Sequence, residues 1–288
     1  MHHALRFLLA TAFCVVAGFT HAAPLASVEA VQAPAWFERA GRLLPLAPGV
    51  ELHSGDVVLT GPEARAYLML LDGSRVKLGE SARFAVHSHS TRPSEIFRGA
   101  LDVVTGAFRF TTGAINRVAK RDLMIRVGTA TIGIRGTDVW GRSSKERDIV
   151  ALLEGRIEIT RHGEVLEMTE PMNFLDAART GDAVIRPLEP GQLALWARET
   201  EILPGDGASR RQGRWRVTLA SVDTSNAALE HYDRLRAAGF DIRIRPIKAT
   251  EGDNWHYALT LGNFSDQSEA AVAAARLVRL GYAASVNR

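Results

Sequence analysis

The chain has 288 residues, room for two domains with cores of their own, and its 46% hydrophobic and 23% charged content excludes wholesale disorder. Lysine and arginine exceed aspartate and glutamate by 35 to 32, and a net charge of +3 tolerates an anionic partner without identifying one. A single cysteine excludes an internal disulfide and any thiolate metal cluster.

His2, His3 and Arg6 make a short polar start, Leu8 to Phe19 is apolar, and Thr20-His21-Ala22 ends in the small residues a signal peptidase requires. This pattern predicts a cleaved secretory signal over residues 1–22, cut after Ala22. The apolar run is shorter than the roughly twenty residues of a spanning helix, which argues against an uncleaved anchor. Cys14 lies inside the segment behind the bulky Phe13, which argues against lipidation. The exported chain would then carry no thiol, and no later stretch is apolar enough to insert in a membrane.

Residues 23–34 show no periodicity and read as a loose leader. Trp36 to Gly49 reads as a first strand and turn, broken by Pro45 and Pro48-Gly49. In Gly55 to Leu78, Ala66, Leu68 and Leu70 alternate with Arg65, Tyr67 and Met69, and Val76 and Leu78 flank Lys77. That is the period of half-buried strands, with Gly61-Pro62 and Asp72-Gly73 as turns, so a hairpin is expected. The same grammar recurs at Ile96–Gly113, Val127–Gly141 and Ile149–Thr160. Residues 36–160 therefore predict an all-β unit, either a sandwich or a solenoid-like roll. Arg117, Lys120 and Arg121 cluster between strands and read as a solvated loop. Further on, Gln192 to Glu199 reads as a short helix with Leu195 and Trp196 packed back on the β unit.

Gly55-Asp56 with Thr60-Gly61, Leu71-Asp72-Gly73-Ser74, Leu78-Gly79, Arg98-Gly99, Gly136-Thr137-Asp138 and Leu153-Glu154-Gly155 stand in an order and spacing that resemble a FecR domain. The resemblance covers about a hundred residues and implies a β-rich interaction module. Members that relay siderophore signals carry a cytoplasmic tail and a spanning helix ahead of the domain. Only Met1 to Leu5 precede the first basic residue here, so sigma-factor regulation is not expected.

Pro204 to Gly213 is small and polar, and 204–212 reads as a linker between a β domain over 36–203 and a second domain over 213–288. That second domain holds an internal repeat. Trp215–Val222, a helical stretch from Thr224 to Ala238 and DIRIRPI form one half. Trp255–Phe264, a stretch from Asp266 to Leu280 and YAASV form the other. Ser225 or Asn226 is expected to cap the first helix, and Asp266 with Glu269 the second. Ala228, Leu229, Tyr232 and Leu235 mark the inner face of the first; Ala271, Ala274, Ala275 and Val278 mark that of the second. Two such halves predict a β-α-β-β-α-β, ferredoxin-like α+β layout with both helices on one face of the sheet. Trp215, Val217, Leu219, Ile242, Ile244, Tyr257, Leu259 and Leu261 would then face the helices. Arg216, Thr218, Arg243, Arg245, His256 and Thr260 would line the open face.

VTLASV and LTLGNF, with Val217, Ser221, Gly262 and Phe264 as the matching residues, resemble a SPOR domain. The resemblance implies binding to septal peptidoglycan glycan strands that lack stem peptides. Family members contact glycan through a Gln and a Ser of the first strand and an Arg of the third. Ser221 matches, Thr218 replaces the Gln, and Ala258 stands where the Arg would be. Arg216, Thr218, Ser221, Arg243, Arg245, His256 and Thr260 are the candidate glycan-binding residues.

Other chemistries find little support. His87 and His89 form an i, i+2 pair without a third ligand type nearby, and no metal or other cofactor is expected. Asp56, Asp72 and Asp138 stand at glycine turns, where Asp bonds its own backbone, and no nucleophile-and-base or metalloprotease signature occurs. Gly133 to Trp140 is dense in glycine, which serves backbone turns. An Arg-bearing sheet face is also how RNA-recognition modules look, but those stack bases on exposed aromatics, and here the aromatics point inward. The sequence thus predicts a non-enzymatic periplasmic protein that tethers to glycan strands and offers its β domain to an unidentified protein partner. The alternative is a signalling component of a FecR-type envelope pathway.

Overall fold

A computed structural model describes residues 24–88, 96–113, 120–134, 136–219, 221–248 and 255–288. The expected signal segment with Cys14, together with His89, Arg117 and the side chains of Lys120 and Arg121, lies outside the described set.

The N-terminal body is built from β1 (Ala26–Gln32), β2 (Ala35–Arg39), β3 (Arg42–Pro45), β4 (Glu51–Leu52), β5 (Val57–Thr60), β6 (Arg65–Leu70), β7 (Arg75–Leu78), β8 (Arg83–Ser88), β9 (Ile96–Thr111), β10 (Lys120–Val127), β11 (Ala130–Ile134), β12 (Asp138–Ser143), β13 (Arg147–Glu154), β14 (Ile157–Arg161), β15 (Glu164–Met168), β16 (Asn173–Ala178) and β17 (Ala183–Pro187). Hairpins alternate between two facing sheets. β6–β7, β12–β13 and β16–β17 lie in one, β2–β3, β10–β11 and β14–β15 in the other. Strand β9 belongs to both: its first part pairs with β8 and, in parallel, with β10, and its second part pairs with β7 and β12. The crossing point is Gly106, at φ +89°, where a Cβ would stand 2.5 Å from the Cα of Ala82, so no other residue fits. Val58, Leu68, Val76, Phe84, Leu101, Ile132, Val150 and Ile159 from both layers close a single core. The body has the two layers of a sandwich and the layer-switching path of a roll, which strand periodicity alone does not separate.

From residue 24 on, the expected loose leader is instead ordered structure: β1 pairs with β6, and its Val28 and Ala30 are completely buried. Alanines at inner positions hid the alternation. The helix expected near residue 192 is α1 (Pro190–Thr200), laid on the outside of the first sheet. Trp196 stacks on Trp140 at 4.7 Å between ring centroids and 9° between planes, while Leu195 is 68% exposed. On a helix, neighbours in sequence stand about 100° apart, so only one of the two could face the sheet.

The C-terminal part contains β18 (Ser209–Arg210), β19 (Trp215–Leu219), α2 (Ser225–Ala237), β20 (Ile242–Lys248), β21 (Trp255–Phe264), α3 (Gln267–Arg279) and β22 (Ala284–Asn287). Its sheet runs β20-β21-β19-β22 with every pair antiparallel, and both helices pack on one side around Val217, Leu219, Leu235, Ile242, Leu259 and Leu277. The cap of α2 is Thr224, not Ser225 or Asn226; its hydroxyl accepts from the Ala227 N–H. Leu229 is half exposed, and the inner face of α3 is Ala270, Ala273, Ala274 and Leu277, one position off the expected stripe, with Val278 exposed. Alanine covers too little area to mark a face, and the single Leu277 decides it.

Asp266 caps α3 by accepting from the Glu269 N–H, as expected, but Glu269 does not reach back to it. Its carboxylate, 3% exposed, accepts instead from the N–H groups of Gly205 (2.8 Å), Gly207 (2.6 Å) and Ala208 (3.0 Å). The stretch 204–212 is thereby fixed. β18 within it pairs with β1 on one side and with Phe264 of β21 on the other, so hydrogen-bonded backbone runs continuously between the two parts. Just upstream, Glu201 accepts from the Lys77 ammonium and the Tyr67 hydroxyl, tying the segment to the outer face of the first sheet. Trp36 adds a further contact: its indole N–H donates to the Ala237 carbonyl, and Gly239 at φ +83° leaves the room its ring needs.

Candidate functional site

The open face of the C-terminal sheet collects what the strand alternation sends away from the helices. Register places Arg243, Thr260, Thr218 and Ser285 in one row across all four strands. Arg245 stands beside Ala258, Arg216 beside Asn287, and His256 beside Ile247. Of the residues expected on this face, Arg216, Thr218, Arg243, Arg245, His256 and Thr260 are brought together. Ser221 is exposed but lies past the end of β19, outside the row.

Ser285 and Asn287 of β22 belong to the face and were missed, although Ala284 and Val286 packed on the core imply them by alternation. Exposed Ile247 was missed as well. Thr218 and Asn287 are bonded side chain to side chain at 2.8 Å, and Ser285 donates to the Thr218 carbonyl at 3.3 Å. At the β19 end a bulge inserts a residue into β21, with Asn263 at φ +71°, and Phe264 swings into the core while the Arg216 stem passes over Gly262. Trp215 packs on the helix-side core and Tyr257 alternates with Leu259 and Leu261 on that side, while Trp255, at the start of β21, is half exposed.

The arginines of this face are weakly held by the rest of the chain. Among the described residues Arg216 and Arg245 make no side-chain hydrogen bond or ion pair, and Arg243, with a side chain 70% exposed, stands 4.0 Å from Asp241. Burial pushes the Asp241 carboxyl above its ordinary range, against the pull of Arg243 and Arg236. His256 meets Asp223 at 2.8 Å at the rim. Such a surface offers guanidinium forks and hydroxyls to carboxylate, hydroxyl and amide groups of a ligand.

The motif residues of the N-terminal body are engaged internally. Asp56 accepts from Arg39 and from the His53 N–H, Asp72 from the N–H and hydroxyl of Ser74, and Asp138 from both arms of Arg109. His87 stands 3.2 Å from Asp102. Among the described residues no group of three His, Cys, Asp or Glu side chains could hold a metal ion, and no helix is long and apolar enough to cross a membrane.

Comparison with known proteins agrees with this division. Residues 56–158 match the family described as FecR protein, and residues 212–287 match the family described as SPOR domain. The SPOR match implies peptidoglycan binding, and the FecR match implies a part in protein–protein signalling; both families are associated with the cell envelope and are non-catalytic. No curated relative matches the chain. Similar solved structures include two crystal structures of a "putative anti-sigma factor" from Parabacteroides distasonis ATCC 8503. One is 12% identical, covering 69% of this chain and 96% of that one at a TM-score of 0.41. The other is 15% identical, covering 77% and 90% at a TM-score of 0.41. Likeness at that score carries no argument about fold or function.

Proposed function

We propose that this chain is a non-enzymatic, exported protein of a Gram-negative envelope. In this reading it binds peptidoglycan glycan strands through the open face of its C-terminal sheet, at the division septum where strands lack stem peptides. Residues 1–22 serve as the signal, the β body, which β1 extends upstream of the expected 36–203, engages a protein partner, and 213–288 form the glycan-binding domain.

The observation that carries the reading is the exposed set Arg216, Arg243 and Arg245, cations with no carboxylate in hydrogen-bond reach among the described residues, around the hydroxyls of Thr218 and Ser285 on the helix-free face, with Thr260 buried between them, in the segment that matches the SPOR family. Each glycan hydrogen bond contributes about 0.5–1.5 kcal/mol net, so several must act together. Thr218 and Ala258 stand where the family shows Gln and Arg, and the arginine pair of β20 supplies the charge that the third strand lacks.

The test is co-sedimentation of the full exported chain with purified sacculi. The wild type pellets with them, and Arg243→Ala/Arg245→Ala stays in solution with an unchanged melting temperature. A wild type that stays in solution would sink the reading. A signalling role in a FecR-type pathway is the second reading, supported by the match over 56–158. It predicts capture of a specific envelope protein by the β body whether or not sacculi bind.

A further inference from the structure

At the Arg216–Arg243 end, the open face does not simply run out. It opens into a cleft of about 300 Å³ where the two parts of the chain meet. One wall is the β body, through Val31, Ala33 and the turn Leu46–Pro48; the other carries Arg216, Arg243, Arg245 and Thr260. Arg276 of α3 also lines the cleft. Four arginines thus line the cleft with one carboxyl, Asp241, whose burial favours its neutral form against the pull of Arg243 and Arg236.

Arg276 is held loosely for a half-buried arginine. Among the described residues its hydrogen bond is to the Ala33 carbonyl at 3.3 Å and no carboxylate lies within 4 Å, and burial lowers its pKa from the ordinary arginine value against the more distant pull of Glu63 and Asp206. Burying a cation is costly, and an arriving oxyanion would offset part of that cost. A carboxylate matches the planar fork of arginine. The Ala33, Leu46 and Pro48 wall adds apolar carbon beside the charge, and the volume holds about ten waters or a short acid-bearing arm with one edge of a sugar.

We propose that this cleft is a carboxylate subsite built jointly by the β body and the C-terminal sheet. Its occupant is the lactyl carboxylate of a muramic sugar in a peptide-stripped glycan strand that lies along the open face. The inference rests on the glycan reading above, because three of its arginines also line that face. It adds that the β body is part of the recognition surface and not only a partner module.

The experiment titrates the full exported chain with peptide-stripped strands and with the same strands after reduction of the lactyl carboxylates to alcohols. The wild type binds the reduced strands about tenfold more weakly. Arg276→Met, which keeps the stem and loses the charge, binds both preparations alike. Pro48→Glu, on the half-exposed wall of the β body, weakens binding of acidic strands while binding reduced strands as the wild type does. Equal binding of the two preparations by the wild type overturns the subsite and leaves the glycan reading standing; no binding of either overturns both. If free lactate raises the melting temperature while the two preparations bind alike, the cleft takes a small acid and the glycan assignment is overturned.

Discussion

The two parts of the molecule use arginine in opposite ways. In the β body Arg39, Arg109, Arg126, Arg147 and Arg179 each bond an aspartate, and Arg142 bonds Glu199. In the C-terminal sheet Arg216 and Arg245 stand out from the open face with no such partner among the described residues, and Arg243 has only the long 4.0 Å approach to Asp241. Charges paired within the chain hold a fold, whereas charges left unpaired on a bare, rigid surface are available to a ligand. Asp56 and Asp138 of the FecR-like motifs, which read as turn residues, are held by arginine in this way, whereas Asp72 is held by Ser74.

If that contrast is right, substitutions in the β body should cost stability and those on the sheet face should cost binding. The largest effect is expected at Asp148, fully buried and bonded by Arg179, Ser143 and Thr129. Asp148→Ala leaves Arg179 without its counter-charge and should destabilise by about 3–5 kcal/mol, read as a lower melting temperature. Next is the junction. Gly239→Val places a branched side chain at φ +83°, with its Cβ 2.7 Å from the Trp36 ring, and should cost about 2–3 kcal/mol and change Trp36 fluorescence.

Glu201→Gln comes third, at about 1–2 kcal/mol, since it weakens the bonds from Lys77 and Tyr67. Burial alone would raise the Glu201 pKa, and those two bonds outweigh it and hold the group below the ordinary carboxylate range. Its ionised form therefore stabilises the fold above that range, and the contribution is lost as pH falls through the lowered pKa. The Gln variant should lose stability at neutral pH and show a flatter acid limb in a melting-temperature profile. The smallest effect on stability, within about 0.5 kcal/mol, belongs to Arg243→Ala/Arg245→Ala, which should instead abolish sedimentation with sacculi. A double variant that melts several degrees lower would place these arginines with the structural ones and erase the contrast.

Strand existence was legible wherever large apolar residues alternate, as in Leu68-Met69-Leu70 or Val217-Thr218-Leu219, because burial on one face dictates the pattern. It was not legible in Ala26–Gln32, where alanine fills inner positions; on α3 the helix was legible but its inner face was not, because Leu277 alone outweighs a run of alanines. Six of the seven expected site residues fell on one face because a single register fixes them all together. Ser221 did not, since a motif match carries no register, and Ser285 and Asn287 needed the fourth strand to be read by the same rule. Least visible was the junction. The small, polar composition of 204–212 suits a mobile linker, yet Glu269, sixty residues on, captures three of its N–H groups, a pairing that no local pattern announces.

The most direct test of a ligand-ready sheet face is residue-resolved NMR of the exported chain titrated with peptide-stripped glycan strands. Shifts concentrated on Arg216, Thr218, Arg243, Arg245, Thr260 and Ser285, with the helix-side residues Val217, Leu259 and Leu261 unmoved, are the predicted result. Shifts confined to the β body, or spectra unchanged at saturating strand concentration, would contradict it.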